Sequence, residues 1–135
     1  MKKIKKIKIK NYSNSTGSLV PVAFNKSIPI NAKRIFFIYG KKNKIRGNHA
    51  HKKASQLFIP VSGKMVLSVL LGKNKKKFLL SRKTKNSFLI PPKHWCSIRF
   101  INTNSILMVV SNRYYESSDY IRNFKEYLKY LGKYK

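Results

Sequence analysis

The amino-acid sequence predicts an all-β domain that carries one short helix at its C-terminal end. Short apolar or alternating runs recur between turn residues over residues 4–111, a pattern typical of a sandwich or barrel of short strands. The hydrophobic content of 42%, with eight Phe and eight Tyr, indicates a folded core and argues against a disordered basic tail. A chain of 135 residues is long enough for one modest core. We therefore expect residues 1–135 to form a single β-barrel domain.

The individual strands are predicted from alternation and from β-branched or aromatic content. Ser62 and Gly63 form a clear hairpin turn, as does the segment Gly72–Asn74. Pro91 and Pro92 end a strand, because neither residue can donate a hydrogen bond to a ladder. In chain order, the predicted strands are Ile4–Ile9, Ser18–Phe24, Arg34–Tyr39, Gln56–Val61, Lys64–Leu71, Lys77–Ser81, Ser87–Ile90, Trp95–Ile101 and Ile106–Ser111.

Residues 118–132 are predicted to form the helix. Ser117 and Ser118 are candidate N-caps, and Asp119 would lie in the first turn. Asp119 and Arg122 are interpreted as a helix cap and a structural ion pair. The apolar residues fall on one face of this helix, namely Tyr120, Ile121, Phe124, Leu128 and Leu131.

The charge is strongly unbalanced, with 31 Lys and Arg against three Asp and Glu, a net charge of +28. So few acids make carboxylate-pair catalysis or a carboxylate-rich Ca²⁺ site improbable. The excess of bases suggests a polyanion partner, and a basic β-barrel that binds single-stranded nucleic acid is one hypothesis. However, 25 of the bases are Lys, scattered along the chain, and Arg is the residue that grips bases and phosphates bidentately. The favoured interpretation is a solvated lysine surface with no nucleic-acid partner.

No segment predicts export or membrane insertion. The longest apolar runs are too short to span a bilayer, and Met1–Lys10 lacks the apolar core of a secretory signal. The single cysteine, Cys96, excludes an internal disulfide and suits a reducing compartment. We therefore expect a cytoplasmic protein.

Two of the three histidines lie in the segment Arg46–His51. Positions i and i+2 of a strand point to the same face, so His49 and His51 would share one side of the sheet, with Arg46 close by. If that side lines the barrel, these groups converge in its mouth, a usual place for a ligand. The alternative is a pair of exposed loop histidines.

Four segments together resemble the sugar-nucleotide 3,4-ketoisomerases, which are small cupins with a jelly-roll β-barrel. They are Arg34–Tyr39, Arg46–Lys53, Ile90–Trp95 and Tyr114–Asn123, and the likeness extends over residues 4–131. The resemblance implies an isomerase that acts on dTDP-4-keto-6-deoxy-D-glucose and moves the carbonyl from C4 to C3. The Arg-Gly-x-His element at Arg46 also resembles that of the dTDP-sugar 3,5-epimerases, another cupin family.

Metal-binding cupins hold the ion with the two histidines, a following Glu and a later His. In this chain Gln56 and Cys96 occupy the last two positions, an unusual donor set for a first-row metal, although His94 lies nearby. We therefore expect no metal and no cofactor. A metal-dependent or non-catalytic cupin that binds sugar nucleotides remains an alternative. Cys96 also departs from the family, many members of which have His or Arg there.

The reaction needs a proton carrier that titrates near neutral pH, which favours histidine. His49 is predicted to be the main acid/base, His51 to assist with the hydroxyl proton, and Tyr39 to relay a proton. The predicted substrate-binding residues are Arg46, for the diphosphate or a developing oxyanion, together with Asn48, Gln56 and Trp95.

The resemblance further implies a homodimer that exchanges its N-terminal strand, residues 3–9. It also implies a downstream aminotransferase and a pathway to a 3-acetamido-3,6-dideoxyhexose of bacterial surface glycans such as lipopolysaccharide O-antigen. The galacto product is favoured, because Gly17 leaves the early turn open.

Overall fold

The structure, a computed structural model, describes residues 2–133. Within that range the all-β prediction with one C-terminal helix is confirmed. The strands are β1 (Lys5–Lys8), β2 (Tyr12–Asn14), β3 (Gly17–Leu19), β4 (Arg34–Gly40), β5 (Ile45–His51), β6 (Gln56–Ser62), β7 (Lys64–Leu71), β8 (Asn74–Ser81), β9 (Asn86–Ile90), β10 (Trp95–Phe100), β11 (Ser105–Ser111) and β12 (Tyr120–Ile121). A 3₁₀ turn covers Ser117–Asp119, and helix α1 covers Phe124–Lys133.

Two five-stranded sheets, with all their pairs antiparallel, form the body of the domain. Sheet 1 has the order β1-β9-β6-β11-β4, and sheet 2 has the order β12-β5-β10-β7-β8. Both contribute to one apolar core, which includes Phe58 and Leu107 of sheet 1 and Leu67 and Phe100 of sheet 2. Alternation along β7 explains this, since Met65, Leu67 and Val69 are buried and the residues between them are only partly buried. The arrangement is a jelly-roll sandwich whose inner faces meet.

A second apolar cluster covers part of the outer face of sheet 1. Leu57, Ile59 and Val110 pack there against Ile28 and Ile30, which belong to the segment between β3 and β4. The predicted strand Ser18–Phe24 is wrong over most of its length, because β3 ends at Leu19. Pro21, which cannot donate to a ladder, follows directly.

The C-terminal helix begins later than predicted, at Phe124 and not at residue 118. Asn123 caps it, since its side-chain Oδ1 accepts a hydrogen bond from the Glu126 backbone N–H at 3.1 Å. Its buried side chains are Tyr127 and Leu131, whereas Phe124 is exposed at its N-terminal end. No helix within residues 2–133 is long and apolar enough to span a membrane.

Candidate active site

A β-bulge in β5 places Arg46 and His49 on the same face of sheet 2. His49 lies opposite Cys96 on β10 and Gly47 lies opposite Ser97, so Asn48 is the additional residue. Both bulge residues have positive φ, +95° at Gly47 and +56° at Asn48, a region that Gly and Asn tolerate best. Without this extra residue, strict alternation would turn Arg46 away from His49. The bulge therefore brings the guanidinium and the imidazole into one cavity.

The two predicted histidines lie side by side, with ring centroids 5.3 Å apart. Burial, the neighbouring His51 and the charge of Arg122 lower the pKa of His49 from 6.5 to about 4, although a hydrogen bond with the Gly47 backbone opposes them. Burial also lowers the pKa of His51, against the opposing effect of Asp119. Both imidazoles are therefore neutral at pH 7, the form in which histidine accepts a proton.

Asp119 is the acidic partner of the histidine pair. Its Oδ2 lies 3.1 Å from His51 Nδ1, and the two side chains are both buried. The backbone N–H of Lys53 donates to Oδ1 at 2.7 Å, and that of Ala54 donates to Oδ2 at 3.3 Å. The prediction that Asp119 caps the helix and pairs with Arg122 is therefore wrong, because its carboxylate is used by these three donors.

Tyr120 forms one wall of the histidine site. Its ring centroid lies 5.1 Å from that of His49 and 4.3 Å from that of His51. The guanidinium carbon of Arg122 lies 4.3 Å from the centroid of the same ring, which is a cation–π contact. Arg34 reaches the Tyr120 hydroxyl from β4, at 3.5 Å. Sheet pairing fixes this wall, since Tyr120 pairs with His51 across β12 and β5.

A cavity of about 260 Å³ lies between the two sheets, and Tyr120 lines it. Arg46, Arg122, His49 and Gln56 all contribute to it. A narrow inner extension is lined by His49, His51 and Gln56 as well. Arg46 and Arg122 give the cavity a basic lining, which favours an anionic ligand.

Two buried polar atoms at the inner end have no hydrogen-bond partner within the described part of the chain. They are His51 Nε2 and Gln56 Nε2, on side chains that are only 7% and 5% exposed. A buried polar atom without a partner is unfavourable by about 1–3 kcal/mol, so such atoms commonly mark a ligand site. Depending on its tautomer, the imidazole nitrogen can accept a hydrogen bond from a bound ligand or donate one to it. The amide nitrogen of Gln56 can donate a hydrogen bond to a bound oxygen.

Cys96 and His94 both border the inner extension of the cavity. Burial raises the pKa of the Cys96 thiol to about 12, which makes it a poor nucleophile. His94 Nδ1 lies 3.0 Å from the carbonyl oxygens of Pro91 and of Pro92, so it carries the proton. Over residues 2–133 there is no cluster of three or more His, Cys, Asp or Glu side chains arranged to hold a metal ion.

The remaining predicted site residues are not brought into this cavity. Tyr39 points outward from β4 and is 72% exposed. Trp95 is buried on the outer face of sheet 2, against Phe124 and Tyr127 of the helix. Asn48 is exposed, and it contributes to the site through its backbone, whose positive φ forms part of the bulge. The roles predicted for these three side chains stay predictions.

The site also contains residues whose position was not predicted. Asp119 was predicted elsewhere, and neither Tyr120 nor Arg34 was assigned to the site. The signal that bears on two of them is the segment Tyr114–Asn123, which belongs to the family resemblance. The spacing of residues along the strands does not predict the contact between Asp119 and His51, because these two residues are 68 positions apart in the sequence.

Comparison with known proteins identifies the family. Residues 2–132 match the model of the FdtA family, described as WxcM-like, C-terminal. The chain belongs to this family. It is 31% identical over 130 residues to the TDP-4-oxo-6-deoxy-α-D-glucose 3,4-oxoisomerase of Aneurinibacillus thermoaerophilus, covering 96% of this chain and 93% of that one.

Solved 3,4-ketoisomerases have the same architecture. A His-to-Asn variant of QdtA from Thermoanaerobacterium thermosaccharolyticum, in complex with TDP-4-keto-6-deoxyglucose, has 27% identity and a TM-score of 0.89. That alignment covers 96% of this chain and 94% of the QdtA chain. The 3,4-ketoisomerase of Helicobacter canadensis has 28% identity and a TM-score of 0.88, with coverages of 96% and 97%. The chain is thus a sugar-nucleotide 3,4-ketoisomerase, and the jelly-roll prediction is confirmed.

Proposed function

We propose that this ketoisomerase acts on TDP-4-keto-6-deoxyglucose and moves the carbonyl group from C4 to C3 of the hexose. The observation that carries the proposal is the pair of neutral imidazoles, 5.3 Å apart, at the inner end of an arginine-lined cavity. The Aneurinibacillus thermoaerophilus relative is named for this TDP-sugar, and the QdtA variant is seen in complex with it.

The reaction requires two proton transfers, one from C3 to C4 and one from the C3 oxygen to the C4 oxygen. The C4 carbonyl acidifies the C3–H bond, and His49 removes that proton, leaving an enediolate across C3 and C4. His51 takes the proton of the C3 hydroxyl and returns it to the C4 oxygen. His49, whose proton exchanges with solvent, then protonates C4. The electron pair of the double bond forms the new C4–H bond, and a lone pair of the C3 oxyanion forms the C3 carbonyl. No electrons are gained or lost overall, so no redox cofactor is required.

The basic groups have a separate task in this scheme. Arg46 and Arg122 bind the diphosphate of the nucleotide, as a planar guanidinium does bidentately. The Gln56 amide nitrogen lies at the inner end of the cavity without a partner among residues 2–133, and it donates to the oxygen on which negative charge develops. Such a donor supports the enediolate more strongly than the ground-state ketone.

Turnover in D₂O tests the proposal. Incubation with TDP-4-keto-6-deoxyglucose should give a 3-keto product with deuterium at C4, detected by NMR spectroscopy. The His49→Asn variant should lose turnover while its circular dichroism spectrum is unchanged. The absence of carbonyl migration in the wild-type protein would refute the assignment of this substrate.

We further propose a homodimer. An exposed apolar row on the outer face of edge strand β4, formed by Ile35, Phe37 and Tyr39, supports a second copy as its occupant. Strand β1 pairs with β9 of its own chain here, and an exchanged dimer would keep the same register between copies. Sedimentation at physiological salt should give a dimer that Phe37→Lys dissociates, and a monomeric wild type would contradict the proposal.

We also propose the configuration of the product and the class of enzyme that acts on it next. A 3-keto sugar is the substrate of an aminotransferase, which would act next in a pathway to an acetamido-dideoxyhexose. The galacto configuration at C4 stays the favoured product. Gly17 begins β3 in an exposed hairpin, where an added Cβ would meet nothing within 4 Å. One NMR spectrum of the product distinguishes galacto from gluco.

A further inference from the structure

We propose that Asp119 is a positioning residue that fixes the tautomer of His51, and that this divides the two proton transfers between the two histidines. The inference rests on the proposed function and extends it. His51 needs an unprotonated Nε2 to take the proton of the C3 hydroxyl, and a neutral imidazole has only one such nitrogen.

The geometry assigns that nitrogen. Asp119 Oδ2 is an acceptor 3.1 Å from His51 Nδ1, so Nδ1 carries the proton of the neutral ring. The lone pair then resides on Nε2, which is buried without a partner among the described residues and borders the inner cavity. When Nε2 accepts a proton, the carboxylate stabilises the imidazolium that forms.

The carboxylate is itself fixed in place by backbone donors. Oδ1 accepts the N–H of Lys53 at 2.7 Å, and Oδ2 accepts the N–H of Ala54 at 3.3 Å. The two donors lie two and three residues after His51, in the loop that follows β5. The aspartate therefore cannot turn away without losing these bonds, and the ring of His51 is held at a fixed angle to the cavity.

Among the described residues His49 has no carboxylate partner of this kind. Its ring contacts are with His51 and Tyr120, and its bond is with the Gly47 backbone. The two histidines therefore have different tasks. His49 carries the carbon-bound proton, whereas His51, held by Asp119, carries the oxygen-bound proton. Removal of the carboxylate should impair the second transfer and leave the first.

The decisive variant is Asp119→Asn. In this variant the amide oxygen is expected to keep the short bond to the Lys53 N–H, which places the amide nitrogen against His51. That nitrogen donates, so His51 must accept at Nδ1 and carry its proton on Nε2, the wrong tautomer for the reaction. An Asp-to-Asn change beside a catalytic histidine lowers kcat by about 10⁴-fold in serine-protease triads. We expect a loss of about 10³- to 10⁴-fold here, with little change in KM.

Glu116→Gln is the matched control. It makes the same carboxylate-to-amide change three residues earlier, at a surface side chain that pairs with Arg113 at 2.9 Å. Its kcat should equal that of the wild type.

Two readouts separate positioning from a merely structural role. The first is the rate at which the C3 proton of the substrate exchanges with D₂O, measured beside the rate of carbonyl migration. In Asp119→Asn, exchange should persist while migration falls, whereas a general loss of structure would lower both equally. Equal losses would overturn the proposal.

The second readout is the tautomer itself, measured from the ring ¹⁵N chemical shifts of His51. The wild-type protein should show protonated Nδ1, and the variant protonated Nε2. A wild-type His51 that carries its proton on Nε2 would overturn the proposal even if the variant failed to fold. This outcome is independent of turnover, so it is distinguishable from a failure of the proposed reaction.

Discussion

The low pKa of His49 makes the stability of this fold unusually dependent on histidine as the pH falls. Most proteins lose stability in mild acid because many carboxylates titrate, but this chain has only three Asp and Glu residues. The folded state favours neutral His49, whose pKa falls from 6.5 to about 4. The unfolded chain therefore binds more protons between these values, and stability is complete above pH 6.5 and is lost as the pH drops.

The magnitude follows from proton linkage. At pH 5 an unfolded histidine is almost fully protonated and the folded His49 is about one-tenth protonated, so unfolding takes up about 0.9 proton. Integration between pH 7 and pH 5 gives a loss of about 2 kcal/mol in the free energy of unfolding from His49 alone. His51 and His94 act in the same direction, since their pKa values are also lowered by burial.

Urea unfolding at pH 7 and pH 5, followed through the single tryptophan, Trp95, measures this effect. The His49→Asn variant should lose about 2 kcal/mol less than the wild type between the two pH values. Ile98→Val is the control, because it removes one core methylene and no titratable group. It should lower the free energy by about 1 kcal/mol equally at both pH values. The same pH dependence in His49→Asn as in the wild type would refute the reasoning.

Three other changes test the positions of single residues. Gly47→Ala should destabilise the fold by about 2–3 kcal/mol, because φ is +95° and the new Cβ would lie 3.0 Å from the Cys96 carbonyl oxygen. It should also weaken substrate binding, because the bulge at Gly47 positions Arg46. Unchanged urea unfolding and an unchanged KM would contradict this. Cys96, whose burial raises its pKa to about 12, should react with iodoacetamide at pH 8 only after unfolding, and rapid labelling of the native protein would disprove the burial. Tyr127→Phe should cost about 1–2 kcal/mol, since its hydroxyl bonds the backbone at Leu70, Gly72 and Lys93, and a stability equal to wild type would exclude that role.

The positions of most strands along the chain and the shared face of the two histidines were predictable, because both depend on local periodicity. His49 and His51 are two residues apart, so any strand places them on one face. The start of the helix was less predictable, because Ser117 and Ser118 are as good candidates for the N-cap as Asn123 is. Tertiary contacts decided it, because the chain from Asp119 to Ile121 first pairs with β5.

The position of Arg46 needed the bulge, and periodicity alone would have placed it on the opposite face. Gly47 and Asn48 are the residues that tolerate positive φ, so their adjacency was a usable signal for a bulge. The contact of Asp119 with His51 had no local signal. It joins the loop after β5 to the segment before α1, and only the folded topology brings them together.

The shortness of β12 has a consequence for the temperature range of activity. In the described part of the chain the ladder between this strand and β5 has only two residues, Tyr120 and Ile121, and the bonds of Asp119 to the loop after β5 supplement it. The same segment carries the wall of the cavity. Segments held by few edge hydrogen bonds open at lower free energy than the core of a domain. One small opening would remove the partner of His51 and the ring beside it together. Warming should therefore abolish turnover reversibly below the melting temperature, with the other strands of both sheets still paired.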